Sequence, residues 1–312
     1  MAVKFPLAER SRGELQRTRD GAAVEGRPRR WRLPKGALAV AALALVGAMI
    51  FLYPSTAAWL SQYDQSKVVA ELQAKTVASP GEVRNEQIAA ARAYNTNLVS
   101  GALVAAGARK PIAGGGTAAD TEYNTLLMGD AAGAMGRLRI DKIAVDLPIY
   151  HGTSDATLAQ GVGHLQGTSL PVGGVSQHSV LTAHRGLASA TLFDRLDELA
   201  LGDTFRIEVF GEVLTYRVIE TKVVEPTETE SLYPRYDRDL MTLVTCTPLG
   251  INSHRILVTG ERVTPTPITD VQQAGMSSDL PGTPWWAVGL ASTVAVLGLY
   301  VWAMGRTPRR ER

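Results

Sequence analysis

Apolar and polar positions fall into distinct textures along the chain. Two unbroken apolar runs, Gly36 to Tyr53 and Trp285 to Met304, are eighteen and twenty residues long and free of charge. At a rise of ~1.5 Å per residue they reach roughly 27 and 30 Å as helices, enough to cross the hydrocarbon core of a bilayer. Residues 36–53 and 285–304 are therefore predicted as transmembrane helices, each with aromatic residues or small polar residues at its margins. Residues 54–110 read as helix, rich in Ala, Gln, Glu and Leu, with a break at Ser79-Pro80-Gly81-Glu82. There Ser79 can cap, Pro80 suits the first helical position and Glu82 completes a capping box, so a helical stalk or hairpin is expected. Residues 111–135, rich in glycine and small side chains, are expected to form a flexible lid-like connector and not a packed element.

Residues 136–263 change to short β-rich segments: Arg137 to Ile140, Ala144 to Tyr150, Ser179 to Ala183, Thr204 to Phe210, Val213 to Val224, Met241 to Cys246 and Ile256 to Val263. Gly152, Gly173-Gly174, Gly202-Asp203 and Gly211-Glu212 separate them as turns. This spacing predicts a mainly β domain, a closed antiparallel or mixed β-barrel of about eight strands with short helices. One internal helix is expected over Ala190 to Ala200, where Leu192, Phe193, Leu196 and Leu199 share a face. Residues 264–284, rich in Pro, Ser and Thr, read as an extended tether leading to the second apolar helix.

Charge sharpens this picture. Residues 1–35 carry ten Lys/Arg against four Asp/Glu, and residues 305–312 four Arg against one Glu. Residues 136–263 carry twelve basic against sixteen acidic groups, which argues against a nucleic-acid surface on the folded part. Basic tails beside both apolar runs place both termini in the cytoplasm and residues 54–284 outside, by the positive-inside rule. A cleaved signal peptide is the alternative for the first run, since Ser55-Thr56-Ala57-Ala58 follow it; the long basic extension favours an uncleaved membrane anchor.

Cys246 is the only cysteine and ends a strand-like run, with Arg255 nine residues on. Packing or nucleophilic chemistry are the roles left to it. A thiol nucleophile needs a base or cation nearby, and among His151, His164, His178, His184 and His254, His184 likewise ends an apolar strand. If those two strands are neighbours, Cys246, His184 and Arg255 meet at one rim. The chemistry would be acyl transfer: thiol attack on a carbonyl, proton donation by His184 to the leaving amine, and oxyanion stabilisation by Arg255. Spacing alone leaves open a buried cysteine, a strand-end histidine and a surface arginine.

The residues themselves carry a resemblance. Thr242-Leu243-Val244-Thr245-Cys246-Thr247-Pro248, followed by Asn252-Ser253-His254-Arg255-Ile256-Leu257-Val258, resembles the Thr-Leu-x-Thr-Cys signature and downstream arginine of sortases. Leu147-Pro148-Ile149-Tyr150-His151-Gly152, Gly161-Val162-Gly163-His164, Gly167-Thr168-Ser169-Leu170-Pro171 and Thr182-Ala183-His184-Arg185-Gly186 are similar to the class C, pilus-assembling branch. The resemblance implies a sortase β-barrel with Cys246 as nucleophile, His184 as general acid and base, and Arg255 as transition-state stabiliser. Thr245, Thr247, Leu249 and His254 are expected to contact substrate. It further implies cleavage of a Leu-Pro-x-Thr-Gly-like sorting signal between Thr and Gly on a Gram-positive cell, through a thioester on Cys246. The acceptor would be an amine, a pilin lysine in class C or a peptidoglycan amine in sortases that anchor single surface proteins.

Class C enzymes commonly cover the groove with a lid bearing Asp-Pro and an aromatic residue. Leu126 to Gly133 keeps only Asp130, so a degenerate, more open lid is expected, with a plain connector as the alternative. Glu225, Glu228 and Glu230 are similar to the calcium loop of some class A sortases, but three carboxylates without a partner cluster predict no metal, and no cofactor is expected. An inactive pilus scaffold or adhesin remains the reading from another class. A papain-like hydrolase would need its histidine after the cysteine, the reverse of the order here.

Overall fold

The computed structural model describes residues 31–104, 118–129 and 133–306. Helix α1 spans Lys35–Ala78, α2 Gly81–Val104 and α3 Ala118–Thr125. Then come β1 (Ala134–Ile140), β2 (Val145–His151), α4 (Asp155–Gln160), β3 (Val162–His164), β4 (Gln177–Thr182), β5 (Thr204–Val209), β6 (Glu212–Val224), β7 (Asp239–Thr247) and β8 (His254–Arg262). Helix α5 (Ile268–Gln272) and α6 (Trp285–Gly305) follow.

The eight strands close into a barrel in the order β1-β2-β3-β4-β7-β8-β6-β5. Two pairs are parallel, β2 with β3 and β4 with β7, and the others are antiparallel. Inward positions recur every second residue, as a pleated strand requires: Leu181, Met241, Leu243, Ile256 and Val258 lie in the main core. The intervening Val180, Val244 and Leu257 form a separate apolar cluster on the opposite face of the same strands. Closure removes free sheet edges, so a barrel this small keeps a fixed register.

Among the described residues two compact units are distinguished, one from 31–48 with 291–306 and one from within 49–290. In the first, Arg32 N–H donates to Gly305 O at 3.3 Å, and the Trp31 ring leaves no room for a side chain at Gly305. Helices α1 and α6 each contain a stretch long and apolar enough to cross a membrane.

In the second unit, four expectations need correction. The helical hairpin is not a free stalk: Leu72 of α1 packs with Ala134 and Tyr150, while Ile88 and Ala91 of α2 join the barrel core. Asn95 of α2 adds a pair of hydrogen bonds to the backbone of Leu170, at 3.0 and 2.7 Å. Nor is the segment after α2 a loose connector where it is described. Tyr123 and Leu127 are fully buried, Tyr123 OH accepts from Gly152 N–H, and His151 Nε2 donates to Leu126 O at 2.8 Å.

The helix expected over 190–200 is reduced to a short 3-10 turn, Leu196–Glu198. Its apolar residues are buried as the periodicity required, but the backbone finds tertiary partners instead of helical ones: Phe193 N–H bonds His184 O, and Asp194 O receives Arg185 Nε. The short helix is instead α4, capped by the Ser154 side chain accepting from Thr157 N–H. Finally, 264–284 is a docked strap and no simple tether. Asp270 accepts from Thr215 Oγ1 at 2.6 Å and pairs with Arg206 at 3.3 Å, and Met276 O accepts from Arg137 Nη1 at 2.8 Å. Buried guanidinium groups beneath the strap draw its carboxylate and carbonyl inward, since charges away from water need partners.

Candidate active site

Strand register brings the three expected residues to one end of the barrel. In β7 and β8, Cys246 and Arg255 are direct cross-strand partners. In the parallel β4–β7 pair, Thr182 is matched with Val244. His184 stands two residues past Thr182, as Cys246 stands two past Val244. Ala183 N–H to Val244 O (3.2 Å) and Thr245 Oγ1 to Ala183 O (2.8 Å) extend this tie beyond the end of β4. Alternation then fixes the face: Cys246 follows Val244, and Arg255 precedes Leu257, both on the outer surface of the barrel.

The outer face beside Cys246 has an apolar floor of Val180, Val244 and Leu257, edged by Leu165, Val224 and Leu232. The loop between β6 and β7 supplies Leu232 and is fastened by His178. A carbonyl can only accept, so His178 Nδ1 donates to Tyr233 O (3.0 Å), leaving Nε2 to accept from Thr242 Oγ1 (2.7 Å). Thr242 in turn meets Thr259 Oγ1 at 2.8 Å, which links three strands and the loop in one buried chain.

Arg255 is half-buried, and its Nη1 donates to Asn252 O (2.9 Å) and His254 O (3.0 Å). Asn252 holds a left-handed turn, φ 57°, which an asparagine adopts more readily than most residues and which aims its carbonyl back at the guanidinium. Among the described residues no carboxylate pairs with Arg255. Cys246 is also half-buried, so both groups are open to a substrate lying along the floor.

The other candidates divide. Thr245, expected to touch substrate, is fully buried with its hydroxyl donating to Ala183 O, so it acts as a strut inside the barrel wall. Thr247 faces Arg185, accepting from Nη1 at 3.2 Å, and Leu249 is exposed and packs over Gly186, where an added Cβ would lie 2.6 Å from Leu249 Cδ2. His254 is exposed and meets Ser253 Oγ at 2.8 Å. Asp130 lies outside the described residues. Arg185 was present in the motif but drew no role from sequence; Asp194, whose backbone carbonyl receives its Nε, and Asp197, whose carboxylate receives its Nη2, lie nine and twelve residues on, a spacing without periodic meaning in a loop.

Three histidines away from this rim are structural. Burial holds His164 and His178 at about 4, with backbone hydrogen bonds to Ser169 O and Tyr233 O opposing it in part. His151 is also lowered, chiefly by burial. Among the described residues no cluster of three His, Cys, Asp or Glu side chains is arranged to hold a metal ion, and Glu228 instead accepts from Ser231 N–H.

The sortase domain family matches residues 138–263. Sortase D of Bacillus subtilis is 31% identical over 163 residues, covering 50% of this chain and 79% of that protein. The crystal structure of sortase C-1 from Actinomyces oris is 47% identical with a TM-score of 0.53, over 58% of this chain and 98% of that one. Sortase C of Streptococcus pneumoniae is 34% identical with a TM-score of 0.56, over 64% and 98%. A barrel of this order, a rim joining a thiol, an imidazole and a guanidinium, and relatives covering most of their own length agree: the chain belongs to the sortase family of cysteine transpeptidases, with class C sortases among its structural matches.

Proposed function

We propose that this chain is a membrane-anchored pilin-polymerising transpeptidase that cleaves a Leu-Pro-x-Thr-Gly-like sorting signal. The cross-strand pairing of Cys246 with Arg255, beside the strand end that carries His184, is the observation that supports it. Cys246 Sγ, as thiolate, attacks the Thr carbonyl carbon. Negative charge develops on the carbonyl oxygen, and the uncommitted N–H groups of Arg255 are suited to receive it. Collapse breaks the Thr–Gly C–N bond as His184 gives its proton to the leaving glycine amine, leaving a thioester on Cys246. An incoming lysine amine then attacks the thioester, loses a proton to His184 and releases the thiolate, so an amide is made for the amide broken.

The apolar floor of Val180, Val244 and Leu257 suits the Leu-Pro end of such a signal. The pilin acceptor draws on likeness to the Streptococcus pneumoniae sortase C, whose structure bears on pilin substrate specificity. The apolar stretches of α1 and α6 would anchor the enzyme, with both basic termini cytoplasmic and 54–284 outside.

The test is incubation of the full chain in detergent micelles with a Leu-Pro-x-Thr-Gly peptide and a lysine-bearing pilin peptide, read by mass spectrometry. A thioester on Cys246 and an isopeptide product are expected, both absent in Cys246→Ala. Wild type forming neither, like Cys246→Ala, would sink the proposal.

A further inference from the structure

Two arginines flank the candidate centre and are used in opposite ways. Arg255 is held by loop carbonyls and pairs with no carboxylate among the described residues. Arg185, the residue after His184, is fully engaged, and its side chain is only 10% exposed. Its Nε donates to Asp194 O at 3.0 Å, its Nη1 to Thr247 Oγ1 at 3.2 Å and its Nη2 to Asp197 Oδ2 at 2.6 Å. Three acceptors in three directions match the planar fork of a guanidinium and exceed what a lysine could reach together. The neighbouring backbone is held as well: Gly186 N–H donates to Asp194 Oδ1 at 2.6 Å, and Phe193 N–H to His184 O at 3.0 Å.

From this geometry we infer that Arg185 is a positioning residue, a strut that joins the loop carrying His184 to Thr247 and so sets the imidazole against the thiol of Cys246. The inference rests on the transpeptidase reading above. The β4–β7 ladder itself ends at Thr182 and Val244. Beyond it His184 lies on chain that leaves the sheet while Cys246 stays paired with β8, and their separation depends on cross-links past the last rung of β4–β7. Ala183 supplies one, through Val244 O and Thr245 Oγ1; Arg185 supplies the other, one residue past each reacting group. Proton transfer and attack require near-contact geometry, and a shift of ~1 Å costs on the order of a hundredfold in rate.

The experiment uses the full chain in detergent micelles, comparing wild type with Arg185→Met, Arg185→Lys, Thr247→Val and the Arg185→Met/Thr247→Val double variant. Peptide transpeptidation gives kcat and KM; amide hydrogen exchange without peptide gives the opening of the loop that carries His184. Arg185→Met is expected to lower kcat at least tenfold with KM within twofold, and to speed amide exchange over 184–186 at least tenfold. The double variant should be no slower than the slower single one, because both cut the same link. Arg185→Lys should not restore kcat, because it keeps the charge but lacks the fork.

Unchanged kcat in Arg185→Met, a change confined to KM, or multiplicative losses in the double variant would each overturn the strut. Should Arg185→Met fail to fold, Arg185→Lys and Thr247→Val carry the same comparison. Should wild type be inert toward the peptide, the proposed function fails on its own. The exchange rates then decide the strut: faster exchange over 184–186 in Arg185→Met supports it, and rates matching wild type overturn it.

Discussion

Cys246 and Arg255 face one another across β7 and β8, on the outer wall of the barrel, with the guanidinium anchored through one nitrogen to Asn252 O and His254 O. That anchoring leaves a fork directed by the loop and not by a carboxylate, so its geometry as well as its charge should count. Arg255→Lys keeps the charge and loses the fork; kcat for peptide cleavage is expected to fall by about 10²-fold, the scale of one oxyanion donor. Steady-state kinetics of the full chain would check it. A lysine enzyme within twofold of wild type would mean that a point charge suffices.

Thr245 is a second lever, acting from inside the wall. Its hydroxyl satisfies Ala183 O, one residue before His184, with no exposure to solvent. Thr245→Val preserves the shape but orphans that carbonyl, costing about 1–3 kcal/mol. Both a lower unfolding midpoint and a reduced kcat at unchanged KM are expected, because the freed strand end carries His184. Thermal melting alongside kinetics would separate the two effects, and a kcat equal to wild type would confine Thr245 to stability.

What was legible in the sequence follows from where the information lay. The barrel was readable because seven strands alternate or run apolar between glycine turns, and the rim was readable because both Cys246 and His184 end such runs. Val162–His164 escaped notice, since three residues carry no period. The segment 190–200 misled for the opposite reason. Leu192, Phe193, Leu196 and Leu199 have helical spacing, yet Phe193 N–H is satisfied by His184 O and Asp194 O by Arg185 Nε, partners far away in period and close only in space. The strap over 264–284 was misread likewise: Pro and Thr signal extension correctly, but the buried Arg137 and Arg206 that fasten it belong to other strands. Composition reports local preference, and docking is decided by the partner surface.

Acid should loosen the barrel through His164 and His178. Burial depresses both to about 4, against ~6.5 for an unfolded chain. The unfolded state therefore binds protons first as pH falls, and stability present above about 6.5 is lost progressively down to about 4. Each histidine should remove on the order of 2 kcal/mol between pH 7 and 5. His178→Gln should flatten the pH dependence of the unfolding midpoint over that range, read by fluorescence melting; a slope matching wild type would show that His178 does not titrate with unfolding.

The strap gives the last prediction. Arg137 and Asp146 form a two-pronged ion pair, 2.6 Å at each contact, with side chains 1% and 5% exposed. The same guanidinium donates to Met276 O, so the pair fastens the strap as well as the barrel wall. Asp146→Asn leaves a buried cation facing only Glu208 at 3.5 Å, and loss of one partner from such a pair typically costs about 3–5 kcal/mol. Limited proteolysis should then cut within 264–284 at least tenfold faster, before the barrel itself is attacked. Thr215→Val, which removes a hydroxyl from Asp270 alone, should have a smaller effect because Arg206 still holds that carboxylate. Equal cleavage of Asp146→Asn and wild type would place the strap's anchorage at Asp270 instead of Arg137.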